Sequence, residues 1–183
     1  MNQQIPSQSI GKIYGPNPGY IRKLWLADVS QVSHIPDPIY LHGNNSLLVP
    51  SRMISFISDI VFYKMNFRNK TCFFEEGLSR DAAGEKFTQS ISLSVSQVSV
   101  EHISFLYTHS SKRWIAFFQD HLGNARVMGS PALPVQMGYG SVIGADNNNS
   151  ISLGTESTHP AWFLDAMPEL TRVFGQGFSE NFG

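Results

Sequence analysis

Charge is scarce in this chain. Asp, Glu, Lys and Arg make up only 15% of its 183 residues, against roughly 25% in an average soluble domain. The net charge is −1 and no block of Lys or Arg occurs. That excludes a strong electrostatic grip on nucleic acid, which needs clustered cations facing the phosphates. One cysteine, Cys72, is present, which excludes an internal disulfide framework and a cysteine-based zinc site. Its apolar setting, TCFF, predicts a buried and inert thiol. No stretch approaches the ~18 apolar residues of a membrane-spanning helix, so no membrane insertion is expected. The opening residues MNQQIPSQSIGKIYG hold no apolar core of a secretory signal. The chain is therefore expected to be intracellular when made, and its sequons at Asn44, Asn69 and Asn148 carry no meaning without a secretory route.

Catalytic patterns are missing too. The six histidines, His34, His42, His102, His109, His121 and His159, form no HExxH motif and no i,i+4 pair. His102 and His109 could share a helix face, but two ligands without a third make a weak metal site. Asp120 and His121 are neighbours in a turn, not a relay. There is no G-x-S-x-G elbow for the many serines. Glu75 and Glu76 are adjacent on a strand, so they point to opposite faces and do not form an acid/base pair. GADNNN, 144–149, has the carboxylate and amide spacing of a calcium loop but lacks its glycine and its closing glutamate. Gly138, Gly140 and Gly144 precede no helix, which argues against a phosphate loop. No catalytic, cofactor-binding or metal-binding residue is assigned.

What is present is β structure. The chain is 42% hydrophobic and 12% aromatic, enough for one domain that buries ~70% of the unfolded surface. Residues 1–19, rich in Gly and Pro, read as an N-terminal arm; 20–163 read as the domain and 164–183 as a C-terminal extension. Tyr20–Ala27 is a strand with Tyr20, Leu24 and Leu26 on one face and Ile21, Lys23 and Trp25 on the other. Residues 28–50 are a long irregular connection with a short pairing segment at Leu47–Val49. Val61–Phe67 alternates with period two, and a short strand follows at Thr71–Glu76. GLSRDAAG, 77–84, reads as a hairpin loop. Phe87–Ser96 places Ile91, Leu93 and Val95 on one face and Ser90, Ser92, Ser94 and Ser96 on the other. The period then becomes helical, with Val100, Ile103, Leu106 and Tyr107 on one stripe and Ser99 at the cap. This predicts one helix over about 99–109. Arg113–Gln119, a DHLGN turn and Ala125–Met128 form a hairpin. SPALPVQM is an edge segment broken by two prolines, 138–150 a loop, and Ile151–Ser157 a closing strand. A short helix is expected after Pro160, with Pro168 near its start and Gly175 after its end. No internal repeat is visible.

Several blocks in this order resemble the tail-tube (major tail) proteins of phages and prophages of Bacteroidetes-type bacteria. They are GYIRKLWLADVSQV (19–32), VFYKMNF (61–67), FTQSISLSVS (87–96), RWIAFFQDHLGNARVMGSPALPVQM (113–137) and SISLGTESTHPAWF (150–163). The resemblance covers roughly residues 19–163. It implies a mainly β (α+β) fold, a β-sandwich or barrel-like domain with one flanking helix and extended terminal arms. It implies a structural virion protein, not an enzyme, with no cofactor. Its partners would be itself, as homo-hexameric rings that stack into a tube, and other tail proteins such as terminator, tape measure and baseplate. DNA would pass through the lumen without being bound. The expected location is the virion tail, after synthesis in the host bacterial cytoplasm. The serine row at 90, 92, 94 and 96 is then a candidate lumen lining, and the arm, residues 28–60 and the tail are candidate ring-to-ring contacts. Two alternatives share this sequence. One is a terminator, baseplate hub ring or adaptor with the same fold. The other is a carbohydrate- or surface-binding β-sandwich, which exposure of Trp25, Trp114 and Trp162 on one face would favour and burial of all three would disfavour.

Overall fold

The computed structural model describes residues 19–38, 47–57, 60–82, 84–95, 100–142 and 148–168. Those residues are mainly β, with one α-helix and a curled sheet. The strands are β1 (Ile21–Asp28), β2 (Val32–His34), β3 (Leu48–Val49), β4 (Ser55–Phe56), β5 (Phe62–Met65), β6 (Cys72–Asp81) and β7 (Gly84–Val95). The helix α1 (Val100–His109) follows, then β8 (Arg113–Asp120), β9 (Ala125–Met128), β10 (Val135–Val142), β11 (Asn148–Ser157) and β12 (Trp162–Leu164).

The organising element is β8, RWIAFFQD. Its five residues from Trp114 to Phe118 are all buried, so both faces of the strand lie in core. A continuous apolar run is what such a strand requires. One edge of β8 pairs with β1 from Trp114 to Asp120. The other edge is shared, with β10 at Arg113 and Trp114 and β9 from Ala116 to Gln119. The sheet therefore forks there. One branch runs β9-β12-β3 and the other β10-β11-β7-β6.

Each face of β8 belongs to a different core. Trp114, Ala116 and Phe118, with Leu24 and Leu26 of β1, pack against Ile91, Leu93, Ile151, Leu153, Met137 and Cys72 of the second branch. Ile115 and Phe117, with Trp25 and Ala27, pack against Val127, Trp162, Val49, Ile54 and Phe62. A β-bulge at Arg22 corrects the expected facing of β1. The register slips between Ile21 and Lys23, so Ile21 turns inward beside Leu24 and Leu26 instead of facing away from them.

The loop at the fork begins at Gly129, whose φ is 84°. A side chain there would place its Cβ 2.7 Å from Val135 Cγ2. Both the left-handed backbone and the close approach require glycine. Gly129→Ala is expected to lower unfolding stability by about 1–3 kcal/mol. An unchanged urea midpoint would show that this loop can shift freely.

Several expectations are corrected. Residues 77–81 are strand, not loop: β6 runs to Asp81 and Gly84 opens β7, in continuous register. Residues 138–142 and 148–150 belong to β10 and β11, whose ladder supplies the backbone bonds that a glycine- and asparagine-rich sequence does not advertise. Pro131 and Pro134 precede β10 rather than interrupting it, so they cost no ladder bond, and β10 is not an edge at its start. Trp162–Leu164 is a strand between β9 and β3, and the short helix expected with Pro168 near its start and Gly175 after its end falls on 169–174, outside the described residues. Among the described side chains of α1 only Leu106 is buried, with Phe105 packed against the core; Val100 and Tyr107 are 83% and 76% exposed. The β2–β4 ribbon has no sequence signal. Ser96, Ser99, His42, Gly144 and the terminal segments 1–18 and 169–183 lie outside the described residues.

Candidate functional site

The outward face of the β10-β11-β7-β6 branch is the most distinctive surface. It opposes the core face that carries Ile91, Leu93, Ile151 and Leu153. Its rungs follow from the register. Phe73, Ser92, Ser152 and Gly138 form one rung across the four strands, and Glu75, Ser90, Gly154 and Gln136 the next. Ser94, Ser150 and Gly140 form a third. Of the predicted serine row, Ser92 is exposed and Ser90 and Ser94 are half-buried, all on this outward side.

This face is flat for a steric reason. A Cβ on Gly138 would stand 2.9 Å from Ser152 Oγ, and one on Gly140 3.2 Å from Ser150 Oγ. The hydroxyls lean over the glycines, so no side chain rises there. Beside it, a groove of about 810 Å³ is lined by Ser90, Arg113, Gln136, Gly138, Ser152 and Gly154 among others.

Charge on the face is sparse. Lys86 and Glu156 pair across neighbouring strands at 2.6 Å, with both side chains solvent-exposed, so the bond contributes little to stability. Glu75 lies at the β6 end and Arg113, opposite Gln136, at the β10 end. Neither has an ion-pair partner among the described residues.

Both flanks of this sheet are open. β6 pairs only with β7, and Gly138–Val142 of β10 only with β11, among the described residues. All three junctions in the branch are antiparallel, so β6 and β10 run in opposite directions.

The sequence-derived chemical candidates are not brought together. His34 is exposed at the end of β2. His109 stacks on Phe105 at 4.3 Å, and its Nδ1 lies 2.8 Å from the Phe105 carbonyl oxygen. The His102 side chain is outside the described residues. His121 shares a 2.7 Å hydrogen bond with the Tyr20 hydroxyl. His159 stacks on Trp162 at 3.9 Å. Asp120 accepts hydrogen bonds from the Asn124 backbone and side-chain amides, which fixes the turn. Glu75 points outward, while Glu76 accepts from the Ala161 amide at 2.6 Å. Among the described residues, no group of three or more His, Cys, Asp or Glu is placed to hold a metal, and no helix is long and apolar enough to cross a membrane.

Cys72 is fully buried, and desolvation pushes its thiol up to about 12. Only a thiolate attacks a disulfide reagent. At mildly alkaline pH the folded protein is expected to leave an aromatic disulfide reagent unreacted, with stoichiometric release only after unfolding. Rapid labelling of the native state would contradict the burial. The three tryptophans, Trp25, Trp114 and Trp162, are 8%, 0% and 4% exposed. They form no exposed aromatic platform.

No family model matches the chain, and no curated protein or solved structure matches it.

Proposed function

We propose that this chain is a structural subunit of a phage tail tube, with a β-sandwich or barrel-like tail-tube fold. Its copies form hexameric rings that stack around a channel for the genome, in a virion tail assembled in the bacterial cytoplasm. The observation that carries the reading is the four-stranded branch β10-β11-β7-β6. It combines a flat, nearly uncharged hydroxyl face with an open edge on each flank.

Long unpaired edges are a liability that proteins blunt with proline, charge or cover. The β6 edge carries Glu75, Glu76 and Arg80 beside an exposed Phe73 and Leu78, but it has no proline and no covering strand among the described residues. Ring closure, with each β6 beside the next copy's β10, removes both edges. The contact is heterologous, since one surface meets a different one, and a closing rotation then gives a ring. The serine face turns toward the axis and presents small neutral groups to passing DNA, as a conduit requires. The reading is non-catalytic and needs no cofactor. Burial of all three tryptophans favours it over a carbohydrate- or surface-binding module.

A terminator or adaptor ring shares this geometry and differs in stacking. Negative-stain microscopy of the purified protein separates the two. Tubes of many rings support the tube subunit, single closed rings support a terminator or adaptor, and a monodisperse monomer at high concentration contradicts both.

A further inference from the structure

We infer that the exposed stripe of α1 is an axial docking site, filled by residues 169–174 of a second copy in the next ring. The inference rests on the ring reading above and supplies the contact that turns rings into a tube.

The stripe is apolar and exposed. Val100, Ile103 and Tyr107 fall at i, i+3 and i+7 of the helix, and all three stand out from the surface. A helix lying alone on a core turns such a spacing inward; here Leu106 and Phe105 do the packing instead. The helix stands at the Trp114 end of β8. There the Lys112 amide donates to the His109 carbonyl oxygen, and the His109 ring lies 6.0 Å from that of Trp114.

The chain leaves the domain at the other end of β8. Leu164 pairs with Ala125, which pairs with Gln119. Residues 169–174, ELTRVF, then carry Leu170, Val173 and Phe174, the i, i+3, i+4 anchors by which one helical face meets an apolar surface. Leu170 cannot reach the stripe of its own subunit. It is six residues past Leu164, at most about 20 Å of extended chain. The route back is the ~25 Å length of β8. That route also ends on the wrong face: Leu106 shares a core with Trp114 and Phe118, but Leu164 with Ile115 and Phe117. The occupant is therefore another copy.

The proposed ring places that copy. Closure through strand edges sets the strands along the channel with a tilt, so the two ends of β8 face the rings above and below. Stacking is heterologous, with one end of a copy against the opposite end of the next. It brings the exit end of one ring to the α1 end of its neighbour, with one polarity throughout.

The test uses two full-length variants, read by sedimentation and negative-stain microscopy. One carries Val100→Ser with Tyr107→Ser; the other carries Leu170→Ser, Val173→Ser and Phe174→Ser. Each is expected to close into rings, with a stacked fraction at least about tenfold below wild type. Val100 and Tyr107 are exposed, so the first variant should keep the wild-type circular dichroism and unfolding midpoint. Mixing preformed rings of the two variants then gives double rings and nothing longer, because one supplies the stripe and the other the segment. Tubes of normal length from either variant overturn the inference and leave the ring reading standing. If only the stripe is dispensable, the segment's site is Leu47 and Leu48, exposed beside its exit. Single rings from both variants, with no double rings on mixing, also overturn it. Wild-type protein that stops at single rings overturns it too, and wild-type protein that never assembles overturns the ring reading with it.

Discussion

Phe117→Ala will cost about 3–5 kcal/mol of folding stability, the range for removing a buried aromatic ring from a core that cannot collapse around the gap. The whole domain has only ~5–15 kcal/mol to lose. Phe117 has no solvent exposure. Its ring meets Phe62 edge-on at 5.8 Å and Phe56 at 6.2 Å. It sits on β8, which is held by β1 on one edge and by β9 on the other at this residue. Neither neighbouring strand can move inward to fill a void without breaking its ladder. Urea unfolding measures the loss. Leu122→Ala is the control, since that side chain is 58% exposed in the β8–β9 turn, and surface changes of this kind stay within about 0.5 kcal/mol. A small effect at Phe117 would mean that the core around β8 is looser than the packing indicates.

The second large effect concerns the serine face. Ser92 and Ser152 are directly opposite one another and exposed. In the proposed tube, replacing both with arginine places paired cations on every subunit of a channel wall that would otherwise present hydroxyls. Like charges at such a pair cost only about 0.2–1 kcal/mol in the monomer. The functional change is much larger. Assembled particles should begin to retain DNA, with non-specific dissociation constants of ~10⁻⁴–10⁻⁶ M that weaken steeply as salt rises. Wild-type particles should retain none. Filter retention across a salt series reads this directly. Equal DNA retention by wild-type and variant particles would mean that this face is not what DNA meets.

The sequence was most legible where one residue pattern served one environment. β8 was recognisable as a continuous apolar run, and β7 by strict alternation, because Ile91, Leu93 and Val95 face a core while the serines face outward. The DHLGN turn was legible because Asp120 and Asn124 bond locally. β10 was not: GYGSV has few strong strand formers, and its extended form depends on β11, which is only a tertiary fact. GLSRDAAG contains turn residues at both ends, yet Gly77 and Ser79 are held in the ladder by Thr88 and Lys86. The apolar spacing in α1 predicted the helix but not its buried side. Half of the candidate site was visible in Ser90, Ser92 and Ser94, and Ser152 and Gly154 fell in the expected closing strand, while Gly138, Gly140 and Ser150 were read as loop. A signal for it did exist. The tetrapeptide Ser-Ile-Ser-Leu occurs at 90–93 and again at 150–153, and the two copies lie on paired strands. Open edges could not be read at all, because they are a property of the sheet order.

The most direct test of the account is a cryo-electron microscopy reconstruction of the purified full-length protein. The account predicts rings around an open channel, with Ser92, Ser150 and Ser152 on the inner wall and β6 of each copy running antiparallel beside β10 of the next. A particle with those serines on its outer surface, or a chain that remains monomeric at every concentration, would contradict it.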